Sequence, residues 1–203
     1  ASVATLEATL SNLTSQTAYH YRFVVSNAAN VALGAGQRFG TGGRVSTWGR
    51  NSYGLTNVPV GLGSIFDVAG GDTHSLVLRM DGTVKAWGGG SVYDVGTLFT
   101  NVPANLSNVV AVVTRGYDNA ALRSNGTVVA WGGAQYGGGP PAAGNTNVPA
   151  SATNIVALAA GTYHKLALRA NGTVVAWGGN TYNQTNVPIG LQNVVVNGVP
   201  VLV

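Results

Sequence analysis

The chain has 203 residues, a net charge of +4 and no cysteine, so disulfides, thiolate zinc sites and thiol catalysis are excluded. Thirty glycines and only 8% charged residues point to turn-rich β structure finished with Ser, Thr and Asn. The ten basic residues form no run, which argues against a nucleic-acid surface, and no apolar stretch is long enough to span a bilayer.

The opening Ala1-Ser-Val-Ala-Thr-Leu6 lacks the charged and apolar regions of a signal peptide, so the expectation is a processed chain or an internal piece of a longer one. Tyr19, Tyr21, Phe23 and Val25 then alternate as a core-facing strand does, Asn27-Ala-Ala-Asn30 makes a turn, and Gln37–Thr41 is a last strand. His20 falls on the solvent side of that alternation. Leu13-Thr-Ser-Gln-Thr-Ala-Tyr19 resembles the Leu-x-Pro-x-Thr-x-Tyr corner of fibronectin type III domains, with Ser15 where proline is usual. The resemblance implies that residues 1–41 are the C-terminal half of such a sandwich, with Gly40–Gly43 as linker.

Beyond the linker the chain repeats. Trp48, Trp87, Trp131 and Trp177 each precede a glycine, and each pair is followed by Thr-Asn-Val-Pro, ending at Pro59, Pro103, Pro149 and Pro188. From each of the first three prolines to the next tryptophan the interval is 28 residues, whereas from tryptophan to proline it is 11, 16, 18 and 11. The constant part must pack against identical neighbours, and the variable part is a surface loop. Each Trp is accordingly expected as a blade anchor, buried between adjacent units.

Within one unit, Asn154–Ala160 is an apolar inner strand, and Lys165–Arg169 alternates with Leu166 and Leu168 on one face. Asn171-Gly172 reads as a type I′ turn with two positive φ values, and Thr173–Trp177 returns antiparallel. The same hairpin recurs around Asp81-Gly82 and Asn125-Gly126. The fold class is therefore all-β, a partial β-propeller of three to four short three-stranded blades behind the partial sandwich.

Gly-Thr-Tyr-His-Lys-Leu-Ala-Leu-Arg-Ala-Asn-Gly-Thr-Val-Val-Ala-Trp-Gly at 161–178, with copies at 71–88 and 116–133, resembles the regulator-of-chromosome-condensation repeat. Asn-Gln-Thr-Asn-Val-Pro at 183–188 is similar to the compact bacterial version, which includes propeller-class β-lactamase inhibitor proteins. The resemblance covers residues 44 to about 196 and implies a seven-bladed ring. Here residues 42–203 hold three full units, an opening strand at Arg44–Gly49 and a closing partial unit from Leu191, about half a ring.

Two long loops, Gly88–Phe99 and Gly132–Asn145, should emerge on one face, with Tyr93, Asp94, Phe99 and Tyr136 as candidate partner contacts. Tyr53 and Tyr182, five residues after their tryptophans, extend this set into an aromatic rim for sugars or protein partners. The plainer reading is drift in tolerant loops, with each ring packed on its own loop. His74, Asp118 and His164 share one repeat position and invite a metal or triad, but a position common to every unit reads as hydrogen-bonding scaffold. Arg79, Arg123 and Arg169 read as solvated strand arginines before a ring for an anion. The triple glycines at 88–90 and 137–139 lack the helix a phosphate cradle needs, and the six acids include no close pair.

These readings give no catalytic residue, no cofactor and no metal. The expected function is a non-catalytic interaction or structural module of a secreted or cell-surface bacterial protein. Its partners would be proteins or further copies of itself, with no nucleic acid and no membrane span, and no residue pattern supports a glycan. Asn193–Val203 reads as two apolar strands around Asn197-Gly198, suited to pairing with Arg44–Trp48 or with a neighbouring subunit by strand addition, head to tail. The alternative that the resemblance implies is an inhibitor of a secreted enzyme such as a β-lactamase. A nucleotide-exchange role, as in the chromatin-bound relatives, stands behind it, because the loops here are sparsely charged.

Overall fold

The structure, a computed structural model, describes residues 9–14, 17–21, 24–26, 31–33, 37–41, 43–89, 99–133, 146–189, 195–196 and 199–200. Near the N-terminus, β1 (Ala18–Tyr21) pairs antiparallel with β4 (Gln37–Gly40), and β2 (Val24–Ser26) with β3 (Val31–Leu33). The Tyr19 hydroxyl accepts from the Thr14 amide at 2.8 Å, five residues upstream, a local bond of the tyrosine-corner kind.

Three antiparallel three-stranded sheets follow, here called blades. Blade one is β5 (Ile65–Gly70), β6 (His74–Arg79) and β7 (Val84–Gly88). Blade two is β8 (Val109–Arg115), β9 (Asp118–Arg123) and β10 (Val128–Gly132). Blade three is β11 (Ile155–Ala160), β12 (His164–Arg169) and β13 (Val174–Gly178). In each, the middle strand is central, and the first strand carries a register shift after its first residue. At the end of the chain β14 (Val195–Val196) pairs with β15 (Val199–Pro200), and the proposed turn at Asn197-Gly198 lies outside the described residues. Among the described residues neither strand pairs with residues 44–48, and the Arg44–Trp48 segment forms no strand, its ladder reduced to one bridge between Gly43 and Ile65.

The hairpin turn is not type I′. Asp81, Asn125 and Asn171 keep negative φ, and only Gly82, Gly126 and Gly172 are left-handed. The Gly82 amide donates to Arg79 O at 3.0 Å and the Arg79 amide to Thr83 O at 2.8 Å, so a type I turn runs into a glycine bulge. The Asp or Asn earns its place by its side chain, since Asp81 Oδ1 accepts from the Thr83 amide at 3.0 Å and Asn171 Oδ1 from the Thr173 amide at 3.1 Å.

The turn glycine also joins the blades. Val109 N–H donates to Gly82 O at 3.0 Å, Ile155 N–H to Gly126 O at 3.0 Å, and Ile65 N–H to Gly43 O at 3.3 Å. A Cβ on Gly126, whose φ is +78°, would stand 3.1 Å from Asn154 Cα. Positive φ and the next blade's backbone both require glycine there.

Apolar residues fill the gaps between successive units. Leu76, Leu78 and Val84 of blade one pack with Val109, Val112, Ala121 and Trp131 of blade two. Leu122 of blade two packs with Ile155, Ala167, Val175 and Trp177 of blade three. Trp87 joins Ile65 and Val77 against Val45, Val58 and Leu62. Each buried Trp therefore faces the unit that precedes it.

Candidate functional site

The constant interval of the repeat is closed by a hydrogen bond. Trp87 Nε1 donates to Leu55 O at 2.8 Å and Trp131 Nε1 to Phe99 O at 3.2 Å, each reaching back 32 residues to the carbonyl just before Thr-Asn-Val-Pro. The glycine after the Trp lets the chain leave this junction: Gly132 has φ +99°, and a Cβ there would lie 2.6 Å from Tyr117 O. The loop between Trp87 and Phe99 thus starts at a Trp held on the preceding unit and ends at a carbonyl held by the following Trp. The base is fixed whatever the loop contains.

Two of the loops are short and are locked by asparagines. Asn51 Nδ2 donates to Asn57 Oδ1 at 2.9 Å while Asn51 Oδ1 accepts from the Thr56 amide at 2.9 Å. Asn180 and Asn186 repeat the arrangement at 2.9 Å, with the Thr185 amide on Asn180 Oδ1 at 3.0 Å. This accounts for the Asn in two of the four Thr-Asn-Val-Pro copies, Asn57 and Asn186. The two longer loops have Gly90 and Ala134 where the short ones have Asn51 and Asn180, so their sequence omits this lock.

The expected partner contacts separate into three groups. Tyr93, Asp94 and Tyr136 lie outside the described residues. Tyr182 is 85% exposed on its locked loop, and Tyr53 is half-buried. Phe99 requires correction, because it is fully buried and cannot anchor a partner from the surface. Its ring lies 4.8 Å from the His74 ring and 6.0 Å from Tyr117, and its carbonyl accepts from both Trp131 and Asn119. Trp87, Trp131 and Trp177 are buried, whereas Trp48 is 86% exposed, against the expectation for a blade anchor. Among the described residues no blade packs on Trp48, which belongs to none of the three apolar clusters that bury the other tryptophans.

His74, Asp118 and His164 do not converge on a site. His74 is fully buried, with Nε2 2.7 Å from Asn119 Oδ1 and 3.0 Å from Thr114 Oγ1 of blade two. Asp118 forms a buried ion pair with Lys165 of blade three. Burial pushes the Lys165 ammonium down to about 8. His164 is half-buried on the outer face of blade three. Among the described residues no three His, Asp or Glu side chains gather into a metal-binding group.

Sequence reasoning passed over Asn119 and Lys165, the partners across the blades. The available signal was that both follow the shared position by one residue. In a strand that step turns a side chain to the opposite face, towards the preceding blade.

The recurrent arginines are corrected as well. They are half-buried and brace their own units, with Arg123 Nη2 on Asn105 O at 3.2 Å and Arg169 Nε on Ser151 O at 3.0 Å. Arg79 instead meets Asp81 at 3.1 Å and Thr83 Oγ1 at 3.2 Å. An open depression of about 270 Å³ beside Arg123, lined by Asn105, Ser107, Asn108, Ser124 and Asn125, holds no acid or histidine for catalysis. Among the described residues no helix is long and apolar enough to cross a membrane.

Residues 155–184, blade three and most of its short loop, match the family model of the regulator of chromosome condensation (RCC1) repeat. Prp20p from Saccharomyces cerevisiae, in a structure described with its binding properties to Gsp1p and histones, is 28% identical over 62% of this chain and 35% of its own, with a TM-score of 0.46. Yeast RCC1 (Prp20) bound by Kap60 is 19% identical over 75% of this chain and 43% of its own, TM-score 0.48. Human WBSCR16 is 22% identical over 60% of this chain and 36% of its own, TM-score 0.43. The chain thus matches less than half the length of each of these proteins. No curated protein matches it in sequence. What the sequence and the blades establish together is an all-β array of three antiparallel three-stranded sheets carrying an RCC1 repeat at 155–184.

Proposed function

We propose that the chain is a non-catalytic protein-interaction module that presents variable loops on a fixed propeller-type base. One observation carries this reading: polar groups at the shared repeat position of the first two blades are consumed between blades, while the two longest loops leave from tryptophans, Trp87 and Trp131, held on a carbonyl of the preceding unit. Partner contacts then fall to residues 90–98 and 134–145, with Tyr93, Asp94 and Tyr136, and to Tyr182 on its rigid loop. The sparsely charged, Asn- and Thr-rich composition supports placement in a secreted or cell-surface bacterial protein. The Tyr19–Thr14 bond supports a fibronectin type III-like reading of residues 1–41, with the repeat array at 42–203.

The test replaces both long loops by the sequence of residues 180–184. Immobilised wild type should capture a protein partner that the shortened variant, at unchanged melting temperature, does not. Equal capture by both would sink the reading.

A second reading, head-to-tail self-association, has its own support. Trp48 is 86% exposed at one end of the array and Val156 50% exposed at the other, two opposite halves of the contact seen twice inside the chain.

A further inference from the structure

The two blade junctions use different polar pairs at one geometric position. Residue 74 of blade one meets residue 119 of blade two, and residue 118 of blade two meets residue 165 of blade three. In repeat terms, the first residue of one middle strand meets the second residue of the next. Strand alternation dictates this, since neighbouring side chains point to opposite faces and so to opposite neighbours. At the first junction the pair is an imidazole and an amide, joined by Thr114 Oγ1. At the second it is a carboxylate and an ammonium, both buried, with Ala160 in the place of Thr114.

The residue three positions earlier changes in step. His74 and His164 lie over Gly71 and Gly161, where an added Cβ would come within 2.5 Å and 2.1 Å of the ring. Asp118, a smaller side chain, follows Arg115 instead. The chain therefore contains two matched sets, Gly-x-x-His facing Asn, and Arg-x-x-Asp facing Lys.

We propose that these sets act as a neighbour-selection code, each admitting its own partner blade and rejecting the other's. A mispaired junction would oppose Lys to His, or leave a buried carboxylate facing an amide. Such unpaired buried charges are the recognised device for rejecting a wrong partner. The consequence for blade three is specific. His164 over Gly161 presents the first set on the outer face, so the blade that fits there carries Asn at the position of Asn119.

The test exchanges the facing pairs in the full chain, and replaces Arg115 by glycine where an incoming imidazole needs the room. Asn119→Lys alone and Lys165→Asn alone should each lower Tm by roughly 10 °C. Pairing the first with His74→Asp, and the second with Asp118→His and Arg115→Gly, should return Tm to within about 4 °C of wild type. Recovery at both junctions establishes a transferable code, including the case where the single variants fail to fold and the matched ones fold. Harmless single changes would overturn it. So would matched exchanges whose losses add, or matched exchanges that fail to fold, because contacts that merely fill space show no such coupling.

Discussion

Trp131 donates its indole N–H to the carbonyl of Phe99 across a unit boundary, at 3.2 Å. The same carbonyl accepts from Asn119 Nδ2 at 2.8 Å. One backbone oxygen therefore ends a loop, receives the next blade's tryptophan and ties down the amide that meets His74. This junction accounts for the constant 28-residue interval and for the freedom of the loops outside it.

Trp131→Ala should cost about 3–5 kcal/mol in urea unfolding, as a core aromatic truncation that also removes one of the two donors to Phe99 O. Trp48→Ala, at an exposed position, should change stability by less than ~0.5 kcal/mol in the monomer. Equal losses for the two variants would contradict the facing direction assigned to the tryptophans.

Asp118→Ala should cost about 3–5 kcal/mol, because it strands the Lys165 ammonium in a site with no exposed surface. Asp118→Leu with Lys165→Met should recover most of that loss, since an apolar pair of similar volume needs no charge compensation. A double variant as unstable as Asp118→Ala would show that the pair does more than satisfy its own charges.

The pH dependence has a defined sign. Lysine in the unfolded chain keeps its proton to about pH 10.5, while the folded site releases it at about 8. Between these values the unfolded chain binds the extra proton, so this site adds stability as pH rises from 8 towards 10.5, and that gain is lost as pH falls through 8. Wild type minus Lys165→Met, compared by chemical denaturation at pH 7.5 and 10, should therefore shift in favour of wild type at the higher pH. A difference that stays flat or falls would refute the lowered value.

Insertions should discriminate loop from base. Five extra Gly/Ser residues within 90–98 should cost less than ~1 kcal/mol, since loop closure grows slowly with length. One residue inserted between Pro103 and Val109 must displace the Trp131–Phe99 bond or the Val109–Gly82 bond. Melting curves and tryptophan fluorescence of the two insertions would settle this, and comparable losses would argue against a fixed base.

The hairpins were legible in the sequence because alternation and Asp/Asn-Gly signals are local. The turn type was not, because Asn-Gly suits both type I′ and a type I turn with a glycine bulge, and the Thr that follows decides between them through its amide on Asp81. Phe99 read as a loop aromatic because it ends a variable segment, yet it occupies the junction residue that Leu55 fills in the preceding unit. Asn119 and Lys165 were missed because a buried polar residue reveals itself only with its partner, which lies 45 and 47 residues away. The exposure of Trp48 was invisible for a related reason: periodicity marks a position as a packing site without saying whether the chain supplies the neighbour.

The inter-blade contacts described above link each blade to the one beside it, as at Gly82–Val109 and Gly126–Ile155. The array therefore behaves as a one-dimensional lattice, in which damage stays where it is made. Blade two, supported on both sides, should hold its amide protons longest in exchange. Blade three, whose Leu166 and Leu168 stay half-open while Leu76 and Leu78 of blade one are sealed, should fray before it. A lesion at one junction would then leave a shorter array still folded and still displaying the loops that remain.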